Sequence, residues 1–213
     1  MFFCSPVNPN SKPLEFGATQ NKATTAQFRN HKVKTLLDEK ELNHGVQQMA
    51  DQINERYGDQ PLTIVGVLTG SVVLMADLIR KLKMPLRVGV VQTSSYEGTE
   101  RGKLSINSEM MLDIAGQDVL LIDDIFDTGN TLQEVSQLIK EHKPKSLRSA
   151  VLLLKTGCQQ VDWRPDFIAF DIPDEFVVGY GLDYNDVYRN LPFLAVLEPA
   201  DIESTDTQAN PTS

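Results

Sequence analysis

The chain has 213 residues, 41% of them hydrophobic, which is enough to bury one substantial core and favours a single domain with tails. Twenty Lys and Arg against twenty-nine Asp and Glu give a formal net charge of −9, which repels a polyanion and speaks against a nucleic-acid partner without excluding a local phosphate site. No apolar run approaches the roughly 20 residues that span a bilayer, so no membrane partner is expected.

The opening Met1-Phe2-Phe3-Cys4 is apolar, but Ser5, Pro6, Asn8, Pro9 and Asn10 interrupt it and no basic region precedes it, so a cytoplasmic protein is expected. Cys4 and Cys158 are too few for a disulfide framework and receive no role. Residues 1–31 are rich in Asn, Thr, Gln, Ser and Pro and predict a flexible or surface-hugging extension. Lys32 to Leu37 predicts a short edge strand. Asp38 then caps a helix carrying Leu42, Val46, Met49, Ile53 and Tyr57 on one face, closed by Gly58 and Pro61. Leu62 to Leu68 is a buried-strand run and Thr69-Gly70-Ser71 a turn, after which Val72, Met75, Ala76, Ile79 and Leu82 stripe a helix. A strand from about Leu86 to Thr93 completes a right-handed βαβ unit. Ser94 to Lys103 is polar with two glycines and predicts a mobile loop, from which Ser105 to Leu112 returns as a strand.

The next stretch organises the rest. Val119 to Ile122 is uniformly apolar, as in a parallel strand buried on both faces, and ends in Asp123 and Asp124 at the edge where open α/β sheets bind ligands. Asp127, Thr128, Gly129, Asn130 and Thr131 then lead into Leu132, Val135, Leu138 and Ile139 at helical spacing. The unpaired N–H groups of such a helix entrance attract phosphate, as do those of the Leu68-Thr69-Gly70 turn. Taken alone, Asp127 reads as a helix cap. Pro144 ends the helix, Leu147 to Leu154 is a further strand terminating at Lys155, and Asp166 to Phe170 is another. A lysine there is ordinarily just solvated. In the run Ile172 to Tyr184, Phe176 offers a ring face for a planar base and the Val177 backbone a donor and an acceptor, although composition alone favours a core aromatic and a buried strand. Asp183 reads as a turn residue and Arg189 as a surface ion pair. Gly179-Tyr180-Gly181 lacks the third glycine of a dinucleotide fingerprint. Leu194 to Leu197 closes a domain spanning 32–198, and residues 199–213 form a polar acidic tail.

Buried strand, paired acids and Thr-Gly loop together resemble the 5-phosphoribosyl-1-pyrophosphate (PRPP) motif of type I phosphoribosyltransferases. Lys155 and Ile172 to Tyr184 resemble the hypoxanthine-guanine branch of that family. The resemblance implies an α/β fold with a mostly parallel central sheet flanked by helices, and a small hood built from the N- and C-terminal parts. It implies Mg²⁺-dependent purine salvage, transferring the phosphoribosyl group of PRPP to N9 of hypoxanthine, guanine or both, with release of pyrophosphate. In that frame Asp127 is the general acid/base at the purine N7. Asp123 and Asp124 lie near the ribose and, with Asp183, are metal ligands. Thr128, Gly129, Asn130 and Thr131 join Asp127 around the 5′-phosphate. Leu68, Thr69, Gly70 and Arg189 take the pyrophosphate, with a non-proline cis peptide between Leu68 and Thr69. Lys155 meets the 6-oxo group, Phe176 stacks on the base, Val177 and Asp183 complete its surroundings, and Ser95-Tyr96 belongs to a closing lid. Thr69 stands where the branch commonly has Lys or Arg, so backbone, metal and other cations must carry that charge. A homodimer or homotetramer is expected by the same resemblance. The alternatives are a xanthine-preferring enzyme and a nucleotide-sensing regulator; Asp127, Lys155, Asp183 and Arg189 together favour catalysis.

Overall fold

Described by a computed structural model are residues 25–28, 31–94, 105–106 and 112–198. In chain order the elements are β1 (Thr25–Phe28), β2 (His31–Leu37), α1 (Glu39–Tyr57), β3 (Leu62–Leu68), α2 (Val72–Ile79), β4 (Leu86–Ser94) and β5 (Ser105–Ile106). There follow β6 (Asp118–Phe126), α3 (Asn130–Glu141), β7 (Ser146–Lys155), β8 (Phe167–Ile172), β9 (Val177–Val178) and β10 (Leu194–Val196).

The main sheet has the order β5-β4-β3-β6-β7-β8, parallel throughout except where β5 runs antiparallel to β4. Its central strands are apolar on both faces because both faces are covered. Leu62, Ile64, Leu120, Ile122, Leu152 and Leu153 pack into one core with α1 and α2. Val65, Val119, Leu121 and Val151 pack into a second with Leu132, Val135 and Ile139 of α3. α1 begins at a capping box: the Asp38 carboxylate accepts from the Glu41 N–H and the Glu41 carboxylate from the Asp38 N–H, both at 2.8 Å. Gly45 lets this helix lie against the Phe170 ring, where a Cβ would come within 2.1 Å of a ring carbon.

A second sheet, β1-β2-β10-β9, is antiparallel and joins strands from the two ends of the described chain, as expected for the hood. Three expectations change here. β2 is an interior strand, not an edge, because β1 covers one side of it and β10 the other. β1 lies inside the segment 1–31, whose composition gave no sign of a strand. The buried face of α2 is Leu74, Met75 and Leu78, whereas Val72 is exposed and Leu82 falls beyond the helix end.

Candidate active site

The site is made where neighbouring strands part company. β3 pairs with β6 only as far as Ile122, while β7 stays paired to β6 out to Phe126. Asp123 and Asp124 sit in the resulting cleft, so the strand runs through the acidic pair and ends at Phe126, beyond the apolar run that closes at Ile122. Their carboxylates accept from the next N–H groups along the chain, Asp123 from Asp124 at 3.0 Å and Asp124 from Ile125 at 2.8 Å. Burial, reinforced by the adjacent Asp124, pushes the Asp123 carboxyl well above the usual carboxylate range, and burial also raises Asp124. Neither is ion-paired among the described residues.

A cavity of about 300 Å³ opens above them, lined among others by Leu68, Thr69, Gly70, Asp127, Thr128, Gly129, Thr131, Asp183 and Arg189. On one side the β3 end turns through a cis Leu68–Thr69 peptide, where the expectation put it. The Ser71 hydroxyl donates to the Val67 carbonyl at 2.6 Å and holds the turn closed. Gly70 is required here: a Cβ would lie 1.7 Å from an Asp124 carboxylate oxygen. On the other side α3 starts from Gly129 in the left-handed conformation, φ +85°, packed so closely that a Cβ would meet Val161 and Phe126. Gly129 offers no side chain to cap this helix; the Asn130 N–H donates to the Thr128 hydroxyl at 3.4 Å, and Thr128, Gly129 and Thr131 of this entrance line the cavity.

Three residues that shape this wall were not foreseen. The Gln160 N–H donates to the Thr128 carbonyl at 2.9 Å and its side chain accepts from Asn130 at 3.1 Å. The Gln159 amide donates to the Asp127 carbonyl at 3.2 Å and also to that of Lys155. Neither glutamine has a sequence signal, since Gln159 meets backbone carbonyls and Gln160 a carbonyl and the Asn130 side chain that only the fold brings alongside.

Beyond the α3 entrance lies Lys155, at the end of β7. Its ammonium group is 3.1 Å from Asp127 Oδ2 and 3.4 Å from Asp174 Oδ1. Burial pulls this ammonium down, but the two carboxylates together hold it above the ordinary lysine value, so it remains charged. Asp174 is the third residue missed by sequence; it follows β8, and only the alignment of three strand ends brings it to Lys155. Two residues on, Phe176 is 43% exposed with its ring edge-on to Tyr184 at 5.5 Å, so it is not a core aromatic. The Leu197 N–H donates to the Phe176 carbonyl, and Val177 stands opposite Val196. By antiparallel alternation the N–H and C=O of Val177 therefore point off the open edge of β9.

Arg189 closes the site from the hood side. It pairs with Asp183 Oδ1 at 2.8 Å and donates to the Gly181 carbonyl at 2.8 Å. Asp123, Asp124 and Asp183 share the cavity without forming one tight ligand cluster. Among the described residues, the group close enough to share an ion is Asp127, Cys158 and Asp174, with atoms within 4.8 Å of one another. Lys155 already occupies that place as the cation. Ser95 and Tyr96 lie outside the described residues, as do residues 199–213.

The comparisons with known proteins agree with this geometry. The family model "Phosphoribosyl transferase domain" matches residues 32–185. The hypoxanthine-guanine phosphoribosyltransferase of Staphylococcus epidermidis is 42% identical over 165 residues, covering 76% of this chain and 92% of that protein. The crystal structure of a hypoxanthine-guanine phosphoribosyltransferase from Bacillus anthracis superimposes with a TM-score of 0.73 at 37% identity, over 77% of this chain and 98% of the other. A hypoxanthine phosphoribosyltransferase variant from Trypanosoma cruzi, complexed with the product IMP, gives a TM-score of 0.77 at 31% identity, over 85% and 98%.

Proposed function

The chain belongs to the phosphoribosyltransferase family, in its hypoxanthine-guanine branch, and from that premise we propose that it salvages purines by moving the 5-phosphoribosyl group of PRPP onto N9 of a 6-oxopurine. The observation that carries this reading is the triangle of Lys155, Asp127 and Asp174 beside the α3 entrance, because a charged donor within 3.1 Å of a cavity-lining carboxylate is the pair that recognition of a 6-oxopurine next to the ribose calls for.

Each residue then has a task. The α3 entrance, Asp127 to Thr131, binds the 5′-phosphate through backbone N–H groups and the helix dipole. The Lys155 ammonium donates to the 6-oxo group, Phe176 lies on the base, and the free edge of Val177 selects the rest of a flat heterocycle. Asp127 faces N7 and takes or gives the proton there. Asp123 and Asp124 face the ribose, where carboxylate charge favours the positive charge that develops as the bond from the ribose C1 to pyrophosphate breaks and the bond to N9 forms. The turn Leu68 to Gly70 and Arg189 hold the departing pyrophosphate; with Thr69 contributing no charge, Arg189 is the cation that lines the cavity among the described residues.

Mg²⁺ fits this donor set, since buried Asp123 and half-buried Asp124 offer hard oxygen ligands with no ion-pair partner among the described residues, and Asp183 lines the same cavity. When bound, the ion would neutralise pyrophosphate charge. A cytoplasmic homodimer or homotetramer completes the proposal, with oligomeric state read by sedimentation.

The test is nucleotide formation from PRPP and Mg²⁺ with a panel of hypoxanthine, guanine, xanthine and adenine. The expected result is turnover with hypoxanthine, guanine or both, and none with adenine, whose 6-amino group cannot accept from Lys155. Preference for adenine, or failure with every base, would contradict the assignment.

A further inference from the structure

Tyr180 and Asp77 have no task in the reaction, yet they are joined across the site. The Tyr180 hydroxyl donates to Asp77 Oδ2 at 2.5 Å, linking the hood segment to the last turn of α2, where Asp77 Oδ1 pairs with Arg80. Tyr180 is buried, 6% exposed, and its backbone has φ +50°, a conformation that a bulky residue adopts only when its surroundings fix it. Its N–H donates to the Leu191 carbonyl at 2.9 Å.

Two rigid pieces meet here. One is α2 with the turn before it, tied by Val72 N–H to the Thr69 carbonyl at 3.2 Å and Met75 N–H to the Ser71 carbonyl at 2.8 Å. The other is Tyr180 to Arg189, tied by Gly181 N–H to the Arg189 carbonyl at 3.0 Å and by the Arg189 guanidinium to the Gly181 carbonyl at 2.8 Å. They touch at Gly181, where a Cβ would lie 2.1 Å from the Gly70 carbonyl oxygen. Tyr180 and Leu182 also share a buried core with Leu74, Met75 and Leu78 of α2, but apolar packing sets no direction of its own. The Tyr180–Asp77 bond adds a directional contact beside that packing.

We propose that the Tyr180–Asp77 hydrogen bond is a latch that sets the spacing between the Leu68–Gly70 turn and the Asp183–Arg189 pair, making Tyr180 a positioning residue for the pyrophosphate end of the substrate. The proposal rests on the assignment of that end to these residues. A hydroxyl on a charged acceptor is among the stronger hydrogen bonds, and burial raises the Tyr180 hydroxyl so that it stays a donor at neutral pH. The latch matters more in this chain because Thr69 supplies no cation that could hold pyrophosphate in a loosened turn.

Tyr180→Phe, Asp77→Ala and the double variant, with Arg189→Ala as reference, are compared by steady-state kinetics in both directions. Losing the latch is expected to raise KM for PRPP, and for pyrophosphate in reverse, about tenfold, which corresponds to about 1.4 kcal/mol. KM for hypoxanthine and kcat stay near wild type, and the double variant is no worse than either single one. An unchanged KM for PRPP in both single variants, with Arg189→Ala impaired, overturns the latch alone. So does a loss spread equally over kcat and both KM values with a lowered Tm, the mark of a merely structural contact. If Arg189→Ala leaves KM for PRPP intact, the pyrophosphate assignment fails and the latch with it.

Discussion

Lys155 illustrates how far a single residue can be read. As a strand-end lysine it carries no signal of its own, and the structure gives it one by placing two carboxylates within 3.1 and 3.4 Å. Asp127, Lys155 and Phe176 stand out in the sequence only through the resemblance to a known family, since each alone reads as a helix cap, a solvated lysine or a core aromatic. Asp174, Gln159 and Gln160 do not stand out, because their partners come from other strands or are backbone carbonyls, which leave no trace in a pattern of residue types. If Lys155 holds the 6-oxo group, Lys155→Gln should raise KM for hypoxanthine about 10- to 100-fold, the loss of one hydrogen bond from a charged donor. KM for PRPP should stay near wild type. Equal KM values for hypoxanthine in variant and wild type would remove that role.

At the scale of elements, long periodic segments and uniformly apolar strands were readable. α1 carries its predicted face and cap, and β3 has the bounds its composition suggests. α2 was misread by a residue or two. In eight residues the apolar positions fit two stripes equally well, and it is Leu74 and Leu78 that take the core while Val72 faces solvent. The turn before α2 explains why glycine stands at position 70: the backbone must touch the Asp124 carboxylate. Gly70→Ala is therefore expected to raise KM for PRPP at least about tenfold, with hypoxanthine binding far less affected, since either the turn or Asp124 has to move. Wild-type kinetics in this variant would show that the turn and the acidic pair do not act together.

Over the whole molecule, the parallel sheet could be inferred from alternating strand and helix runs, whereas the hood could not be built in detail. Its strands are two to seven residues long and pair β1 and β2 with β9 and β10, from opposite ends of the described chain. Register across such a distance depends on the packed core, not on local pattern. The finished fold keeps two carboxyls buried side by side, which has a consequence for stability. Asp123 ionises near 3.8 when unfolded and well above that when folded. Below 3.8 both states hold the proton; as pH rises past it the unfolded state releases the proton first, so folding loses stability up to the folded value. Asp123→Asn, without PRPP or Mg²⁺, should raise Tm at about pH 8 and leave it nearly unchanged at about pH 3.5, a gain read by calorimetry. A lower Tm at about pH 8 would contradict that sign. The central claim joins all three scales: phosphoribosyl transfer to a 6-oxopurine, with Asp127 handling the proton. Turnover of PRPP and hypoxanthine by wild type and Asp127→Asn tests it most directly. IMP formation is predicted for wild type, with kcat lowered about 10²- to 10⁴-fold in the variant and KM for PRPP little changed. No IMP from the wild-type protein, or an undiminished kcat in Asp127→Asn, would contradict it.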